Sequence, residues 1–156
     1  MSEIAELLKR SLLTQGLSLE QTEAIASVGR KENFLATEQL GVIGSPEGDL
    51  FVVFEGKVNV LTHDNDKLRE VGPNGILGEV SFVDGGPRHA HFVAQGFVSA
   101  ARFPAKELRA QLSSDRQAGF MVLANLARLL AARLRNADGR LDTLMDSEHD
   151  VWHQAL

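Results

Sequence analysis

Two charged side chains, Glu79 and Arg88, stand near the two ends of the stretch GEVSFVDGGPRHA, residues 78–90. A guanidinium can bind two oxygens of a phosphodiester side by side, so Arg88 is the group expected opposite a phosphate. A carboxylate accepts from a hydroxyl, and Gly78 lets backbone and ligand approach closely next to Glu79. A ligand that carries a phosphate beside a hydroxyl would satisfy both ends of the stretch.

The chain between the two charges must fold back for one ligand to reach both. Residues 79–83 are expected to begin a short helical turn, whose free N–H groups would add to an anion site. The Gly-Gly-Pro turn at 85–87 is predicted to return Arg88 toward Glu79. The competing interpretation is a dimeric interaction module without a ligand, in which the two charges only pair with each other.

Helical periodicity and local signals place two short helices within residues 2 to about 30. Ser18 followed by Gln21 three residues later is the pattern of a capping box, which predicts a helix near 19–29.

Residues 33 to about 103 change to short β-branched and aromatic runs separated by Gly, Pro, Asn and Asp, which predicts an antiparallel sandwich or barrel. Within it, Gly56 is predicted as a hairpin corner, and an exposed loop is expected between Val60 and Leu68.

Apolar residues recur every three or four positions in a long helix predicted over about 114–146. Its apolar stripe is longer than a small barrel covers, so we expect it to mediate a homodimer; the alternative is that the stripe packs on its own chain. In the tail, 147–156, Trp152 is either an anchor for a partner or packed on its own chain.

The composition limits the classes of function. The formal net charge is −5 and the pI about 5.5, so direct DNA binding is not expected. The chain has no cysteine, which excludes thiolate chemistry. We expect a soluble cytoplasmic protein of one domain, 1–156, because neither a signal peptide nor an apolar run of membrane-spanning length is visible.

The run GEVSFVDGGPRHAHFVA resembles the phosphate-binding cassette of cyclic-nucleotide-binding domains, as found in catabolite activators and protein kinase A regulatory subunits. The segments 34–61 and 124–141 are similar to the first strands of that family and to the dimerisation helix of its bacterial transcription factors. The resemblance implies an α+β fold, with an antiparallel β jelly-roll barrel flanked by short N-terminal helices and a long C-terminal helix. It implies cAMP or cGMP as regulatory ligand, no metal and no catalysis.

The resemblance also implies roles for individual residues. Glu79 would receive the ribose 2′-hydroxyl and Arg88 the cyclic phosphate. His89 stands where the family often has Ser, Thr or Ala, and it is bulkier and titrates near neutrality. Arg133 falls near helix positions that face the base, where an arginine would favour guanine through O6 and N7. The complete implied ligand-binding set is Gly78, Glu79, Val80, Arg88, His89, Ala90, Val60, Leu68 and Arg133.

Two metal sites are weaker alternatives. His89 and His91, followed by Gln95, are spaced like ligands of a cupin-like metal enzyme, but the expected Glu and later His are missing. HDVWH at 149–153 spaces two histidines like a zinc-protease helix, with Asp150 where the Glu is needed.

The sequence thus predicts a cyclic-nucleotide sensor that signals to an unidentified effector protein through its C-terminal helix. The transcription factors that it resembles continue into a helix-turn-helix domain after the long helix, whereas this sequence ends at Leu156. We therefore expect a stand-alone sensor rather than a repressor or activator of that kind.

Overall fold

The computed structural model describes residues 1–155, and the side chains of residues 1–139. It confirms the predicted class, an antiparallel β-sheet with helices at both ends. The elements in chain order are α1 (Glu3–Lys9), a 3₁₀ turn (Leu12–Thr14), α2 (Leu19–Ala26), β1 (Arg30–Phe34), β2 (Gln39–Gly41), β3 (Leu50–Leu61), β4 (Lys67–Val71), β5 (Ile76–Leu77), α3 (Glu79–Asp84), β6 (His91–Phe103), α4 (Ala105–Ser114) and α5 (Arg116–Ala155).

The start of α2 is fixed by its predicted capping box. The Ser18 hydroxyl accepts from the Gln21 N–H at 3.1 Å, and the Gln21 side chain accepts from the Ser18 N–H at 3.0 Å. These two bonds satisfy donors that a helix N-terminus otherwise leaves unpaired. The helix ends at Ala26, three residues before the predicted end.

Two long strands, β3 and β6, form the centre of the sheet. They pair along nearly their whole length, from Leu50 opposite Phe103 to Leu61 opposite His91. Shorter strands extend the sheet from them: β1 and β2 pair with β6, while β4 and β5 pair with β3. Within the described residues the hydrogen-bonded ladder therefore has two ends and does not close into a complete barrel.

The core lies on one face of this sheet. Phe34 and Phe51 meet edge to face with their ring centroids 6.5 Å apart. Alternate residues of the strands complete the cluster, which consists of Phe34, Leu40, Phe51, Val53, Val58, Val60, Val71, Leu77, Ala90, Phe92, Ala94, Val98 and Ala100.

The prediction of a hairpin corner at Gly56 is wrong, because β3 runs through this position without turning. Gly56 has a φ of +88° and lies where the register between β3 and β6 shifts, which is the signature of a β-bulge. A Cβ at Gly56 would collide with the backbone oxygen of Phe97 on β6. The glycine is therefore required by a partner strand distant in sequence.

The loop predicted between Val60 and Leu68 is present as residues 62–66.

Two helices follow β6: α4 precedes the helix predicted over about 114–146, and α5 begins at Arg116 and continues past the predicted end to Ala155. Asp115 separates α4 from α5 with extended backbone, and its carboxylate accepts from the Ala118 N–H at 3.1 Å. That backbone hydrogen bond, together with one from the Gln21 side chain, lowers the pKa of Asp115. Asn125 on α5 donates to the carbonyl oxygens of Leu13 and Gln15, which fixes the start of α5 to the N-terminal helices.

The helix α5 passes from one compact unit, residues 1–126, into a second, residues 127–156. The segment predicted as a tail from 147 belongs to α5 as far as Ala155. The predictions for Trp152 and for the histidines at 149 and 153 concern side chains outside the described residues. Within the described part of the chain, none of the helices is both long and apolar enough to cross a lipid bilayer.

Candidate ligand-binding site

A pair of left-handed glycines delimits the short helix α3. Gly78 precedes it with a φ of +86°, and Gly85 follows it with a φ of +71°. A Cβ at Gly78 would collide with the backbone oxygen of Asp49 and would lie 2.6 Å from Nη1 of Arg88. The sequence thus needs glycine at 78 for both its conformation and its space.

The turn after α3 returns the chain as predicted. The Gly86 N–H donates to the Asp84 carboxylate at 2.7 Å, and the Ser81 hydroxyl donates to the Pro87 carbonyl at 3.2 Å. Beyond the turn, the Arg88 N–H donates to the Ser45 carbonyl and the Arg88 carbonyl accepts from the Gly44 N–H, both at 2.9 Å. These bonds hold the backbone of Arg88 against the loop that leads into β3.

The Arg88 side chain is 1% exposed and lies among main-chain oxygens and aromatic rings. Its Nη2 donates to the Asp49 carbonyl at 2.6 Å and its Nη1 approaches the Gly78 carbonyl at 3.5 Å. The Phe92 and Phe51 ring centroids lie 5.3 and 5.9 Å from the guanidinium carbon. Burial lowers the pKa of Arg88, although the more distant carboxylates of Glu47 and Asp49 oppose that effect.

No carboxylate of the described residues forms an ion pair with Arg88, and Nε of Arg88 has no hydrogen-bond partner among them. A buried cation is costly unless an anion or strong acceptors compensate for its lost hydration. The proposed pairing of Glu79 with Arg88 in a ligand-free module is therefore not the arrangement in this structure. The site instead favours an anion that reaches Arg88.

Glu79 is the first residue of α3 and is 2% exposed. Its Oε1 lies 3.8 Å from Nη2 of Arg69, a residue of β4 that the sequence analysis did not select. A carboxylate has about four lone-pair directions, and at 3.8 Å an ion pair is longer than a hydrogen bond. The Glu79 carboxylate also lies near enough to Arg88 to oppose the lowering of its pKa by burial, so the two side chains belong to one site.

His89 is an exposed residue at the edge of the site. Partial loss of hydration lowers the pKa of its ring; the carboxylate of Glu79 opposes this effect, and the cations of Arg69 and Arg88 add to it. The pKa of His89 therefore depends on the charges of Glu79, Arg69 and Arg88, so His89 lies close to all three. The imidazole is held mainly neutral at pH 7, where it can still donate one hydrogen bond.

The other residues of the predicted ligand-binding set differ in their burial and in the part of the chain to which they belong. Ala90 and Val60 are fully buried in the core cluster, and Leu68 packs against it while partly exposed. Val80 is partly exposed on α3, beside Glu79. Arg133 belongs to the second compact unit, so it is not one of the residues that the first unit brings together.

One histidine of the alternative metal site, His91, forms a hydrogen bond within the protein. Nδ1 of His91 accepts from the Ile43 N–H at 3.2 Å, which takes up one of its two possible ligand atoms. Among the described residues, no three side chains of types that bind metal ions form a cluster.

Comparison with known proteins agrees with this geometry. The model of the cyclic nucleotide-binding domain family matches residues 31–115, more than half of the chain. The chain belongs to the cyclic-nucleotide-binding domain family. That family is a regulatory, ligand-binding one rather than a catalytic one.

Similar proteins support the same assignment. A cyclic nucleotide-binding domain of Methylobacillus flagellatus shares 30% identity and a TM-score of 0.77, over 88% of this chain and 80% of that one. The cyclic AMP receptor protein of Thermus thermophilus is 32% identical over 90% of this chain and 65% of its own. Glutaminase 2 of Bradyrhizobium diazoefficiens is 24% identical over 92% of this chain but only 23% of its own. The chain thus spans between about a quarter and two thirds of these two curated relatives.

Proposed function

We propose that this chain is a cyclic-nucleotide sensor in which residues 1–156 act as one domain. The observation that carries the proposal is the buried Arg88 guanidinium, which lacks a paired carboxylate and lies in the same site as the acceptor Glu79. A cyclic nucleotide supplies a phosphate monoanion and, next to it, a ribose hydroxyl. Its two groups match the two side chains in charge and in hydrogen-bonding sense.

In this proposal Arg88 binds the cyclic phosphate through N–H groups that include Nε, and Glu79 accepts from the 2′-hydroxyl. Backbone groups of Gly78 and Val80 add contacts to the phosphate and ribose, and Ala90 packs beneath them. His89 donates a further hydrogen bond to the phosphate from the edge of the site. The apolar side chains of Val60 and Leu68 pack around the sugar and the base.

The output of the proposed sensor is contact with another protein. The large exposed apolar residues of α5 support this view: the described ones are Phe120, Leu123 and Leu134. We expect α5 to pair with its copy in a homodimer and an effector protein to read the change in that helix. The net charge of −5 favours protein over DNA as the direct partner. The proposed role is binding, without catalysis and without a metal.

Isothermal titration with cAMP and with cGMP tests the proposal. We expect binding of at least one nucleotide by the unaltered protein, and a loss of at least about thirtyfold in Arg88→Ala, because removing one partner of a buried charged contact costs about 2–5 kcal/mol. Arg30→Ala removes an exposed guanidinium on β1 and is the matched control. Arg88→Lys keeps the charge but loses the fork, so it should stay folded and still bind the nucleotide more weakly than the unaltered protein. Weak binding by a folded Arg88→Lys protein cannot be a consequence of misfolding.

Two results would contradict the proposal. One is the absence of heat with either nucleotide together with an unchanged melting temperature in millimolar ligand. The other is binding that Arg88→Ala and Arg88→Lys leave intact in folded protein. The first result would favour the dimeric interaction module, and the second would show that Arg88 is not the residue that binds the phosphate.

A further inference from the structure

A groove of about 450 Å³ lies between the end of α3, α4 and the start of α5, within the first compact unit. A Cβ at Gly119 would collide with the main-chain oxygen of Leu112, so the glycine lets α4 and α5 meet closely. Side chains of both helices and of the last turn of α3 line the groove at this contact. The lining of this α4–α5 groove includes Phe82, Val83, Arg109, Arg116, Phe120 and Leu123.

Three apolar side chains of the groove are exposed to solvent. Phe120 is 73% exposed, and Val83 and Leu123 are each about half exposed. The buried ring of Phe82 also lines the groove. Clustered apolar side chains in contact with water mark an interaction site, because burying them is favourable. The groove therefore offers an anchor point for a large apolar side chain of another molecule.

The two charged residues in the described lining of the groove are both arginines. Nη2 of Arg109 donates to the Phe82 carbonyl at 2.8 Å, and the guanidinium carbon lies 5.1 Å from the Phe82 ring centroid. These contacts fix Arg109 at the groove, and the hydrogen bond uses one of its five N–H donors. Arg116 is exposed and precedes Phe120 by about one helical turn, so both lie on the same face of α5. The groove is thus cationic on a chain whose net charge is −5.

We propose that the α4–α5 groove binds an acidic amphipathic segment of the effector protein, in which an aromatic or large aliphatic side chain lies between carboxylates. The apolar side chain packs against Val83, Phe120 and Leu123. The carboxylates bind Arg109 and Arg116, because a guanidinium binds a carboxylate through paired hydrogen bonds. This inference rests on the proposed function for the existence of an effector, and it adds the chemistry of that effector.

A second copy of this chain matches the groove less well than an acidic segment does. In a two-fold symmetric contact the same surface of each copy meets. Arg109 and Arg116 of both copies would then bring four guanidiniums together, and like charges oppose such a contact. The proposed homodimer is tested instead at Leu134, which belongs to the second compact unit.

Selection from a random peptide library displayed on phage tests the groove without assuming the sequence of the effector. We expect the unaltered protein to enrich peptides that carry a net negative charge and at least one aromatic or large aliphatic residue. The most enriched peptide is then labelled with fluorescein and titrated by fluorescence anisotropy. Its affinity should fall as the salt concentration rises, because salt screens contacts between exposed charges.

Variants of two groove residues locate the binding. Phe120→Glu should weaken the peptide at least about tenfold, because it replaces the apolar anchor by a charge of the same sign as the peptide. Arg116→Glu should do so by reversing a charge of the groove. The matched controls are Phe97→Glu, at an exposed phenylalanine of β6, and Arg30→Glu, at an exposed arginine of β1. Both should bind the peptide within about threefold of the unaltered protein. Thermal melting establishes that every variant is folded.

The outcomes separate the groove from the sensor. Enrichment of basic or uncharged peptides, no enrichment, or full affinity in folded Phe120→Glu and Arg116→Glu proteins would overturn the docking site and leave the sensor standing. Conversion of a dimer to a monomer by Phe120→Glu in light scattering would assign the groove to a second copy instead. If the acidic peptide binds but neither cAMP nor cGMP does, the sensor fails and the groove remains a docking surface.

Discussion

The guanidinium of Arg88 donates to the main-chain oxygen of Asp49 at 2.6 Å, while the side chain of Asp49 joins two other elements. One carboxylate oxygen accepts from the Ala105 N–H at the start of α4 at 2.9 Å, and the other accepts from Nε of Arg102 at 2.8 Å. A single residue thus connects the buried Arg88, the last strand, β6, and the helix that follows it, α4.

Removing the Asp49 carboxylate should loosen α4 without abolishing ligand binding. We expect Asp49→Ala to lower the free energy of unfolding by about 1–2 kcal/mol, because it deletes a helix cap and leaves Arg102 with fewer carboxylates. Asp49→Asn keeps an oxygen for the Ala105 N–H and should lose less. Urea unfolding measures both, and equal losses would show that the cap contributes nothing. The Arg88 contact is to the main chain, so the nucleotide affinity should change by less than about fivefold.

The 2′-hydroxyl contact proposed for Glu79 can be tested from both sides. The unaltered protein should bind a 2′-deoxy cyclic nucleotide at least about tenfold more weakly than the parent, because a hydrogen bond to a charged group contributes about 1.5–3 kcal/mol. Glu79→Ala should bind parent and deoxy analogue equally. Persistence of the full discrimination in a folded Glu79→Ala protein would place the hydroxyl elsewhere. Competition titrations give the four affinities of this cycle.

The pKa of His89 predicts a pH dependence of stability. Its folded-state pKa is lowered below 6.5, so the unfolded chain binds more protons between the lowered value and 6.5. His89 therefore contributes stability above pH 6.5, and that contribution is lost as the pH falls toward the folded-state pKa. Urea unfolding of ligand-free protein at pH 7.5 and 5.5 should show a smaller loss for His89→Asn than for the unaltered protein.

The nucleotide affinity should depend on pH in the opposite direction to the stability of the ligand-free protein. A phosphate beside the ring favours the imidazolium, so nucleotide affinity should increase as the pH falls from 8 to 6. The neighbouring charges that oppose or support protonation are Glu79, Asp84, Arg69 and Arg88. His89→Asn should flatten the dependence. An equally steep dependence in that variant would assign the titration to another group.

Gly56 and Gly44 form a matched pair for the bulge in β3. Both have positive φ, +88° and +85°, but a Cβ at Gly56 collides with the Phe97 carbonyl whereas a Cβ at Gly44 meets nothing within 4 Å. Gly44→Ala should cost about 1–2 kcal/mol through its backbone conformation alone. Gly56→Ala should cost about 1–3 kcal/mol more, because β3 and β6 must separate. Equal costs in urea unfolding would exclude the steric contribution.

The proposed homodimer predicts a different response at two exposed leucines. Leu134 on α5 is 61% exposed, and Leu35, between β1 and β2, is 66% exposed. Leu134→Glu should convert a dimer to a monomer in light scattering, while Leu35→Glu should leave the dimer intact. Because neither side chain is in the core, both variants should stay folded, and Leu134→Glu should lose only the thermal stability that dimerisation supplies. A monomeric unaltered protein at high micromolar concentration would contradict the proposed dimer.

Local signals predicted those parts of the fold whose partners lie close in sequence. The Ser18 and Gln21 cap and the turn that returns Arg88 each depend on residues within about ten positions of each other, and both are present. Gly56 was misread because a glycine between two strand-like segments, here residues 51–54 and 57–60, is typical of a hairpin corner as well as of a β-bulge. Its actual requirement comes from Phe97, forty-one residues later in the sequence.

Arg69 was missed for a related reason. Strict alternation along β4 puts either Leu68 or Arg69 on the face that carries the core, and the apolar residue is the natural choice. The register with β3 shifts so that Leu68 is the extra residue of a β-bulge, which lets both residues lie on that face, and nothing local marks the position of the bulge. The available signal was Val71, a buried residue two positions beyond Arg69, because a two-residue period through Val71 includes the arginine.

The oxygens that hold Arg88 are main-chain oxygens, which every amino acid possesses. Substitutions at positions 45–49 can therefore alter the charge and shape of the rim while the anchor of the arginine survives, provided that the loop keeps its path. Two glycines are less tolerant: a Cβ at Gly78 would collide with the main-chain oxygen of Asp49 and lie 2.6 Å from Nη1 of Arg88, and a Cβ at Gly48 would lie 3.3 Å from the main-chain oxygen of Ser81. We therefore expect the other positions of the loop into β3 to accept changes of charge and shape while Arg88 keeps its place.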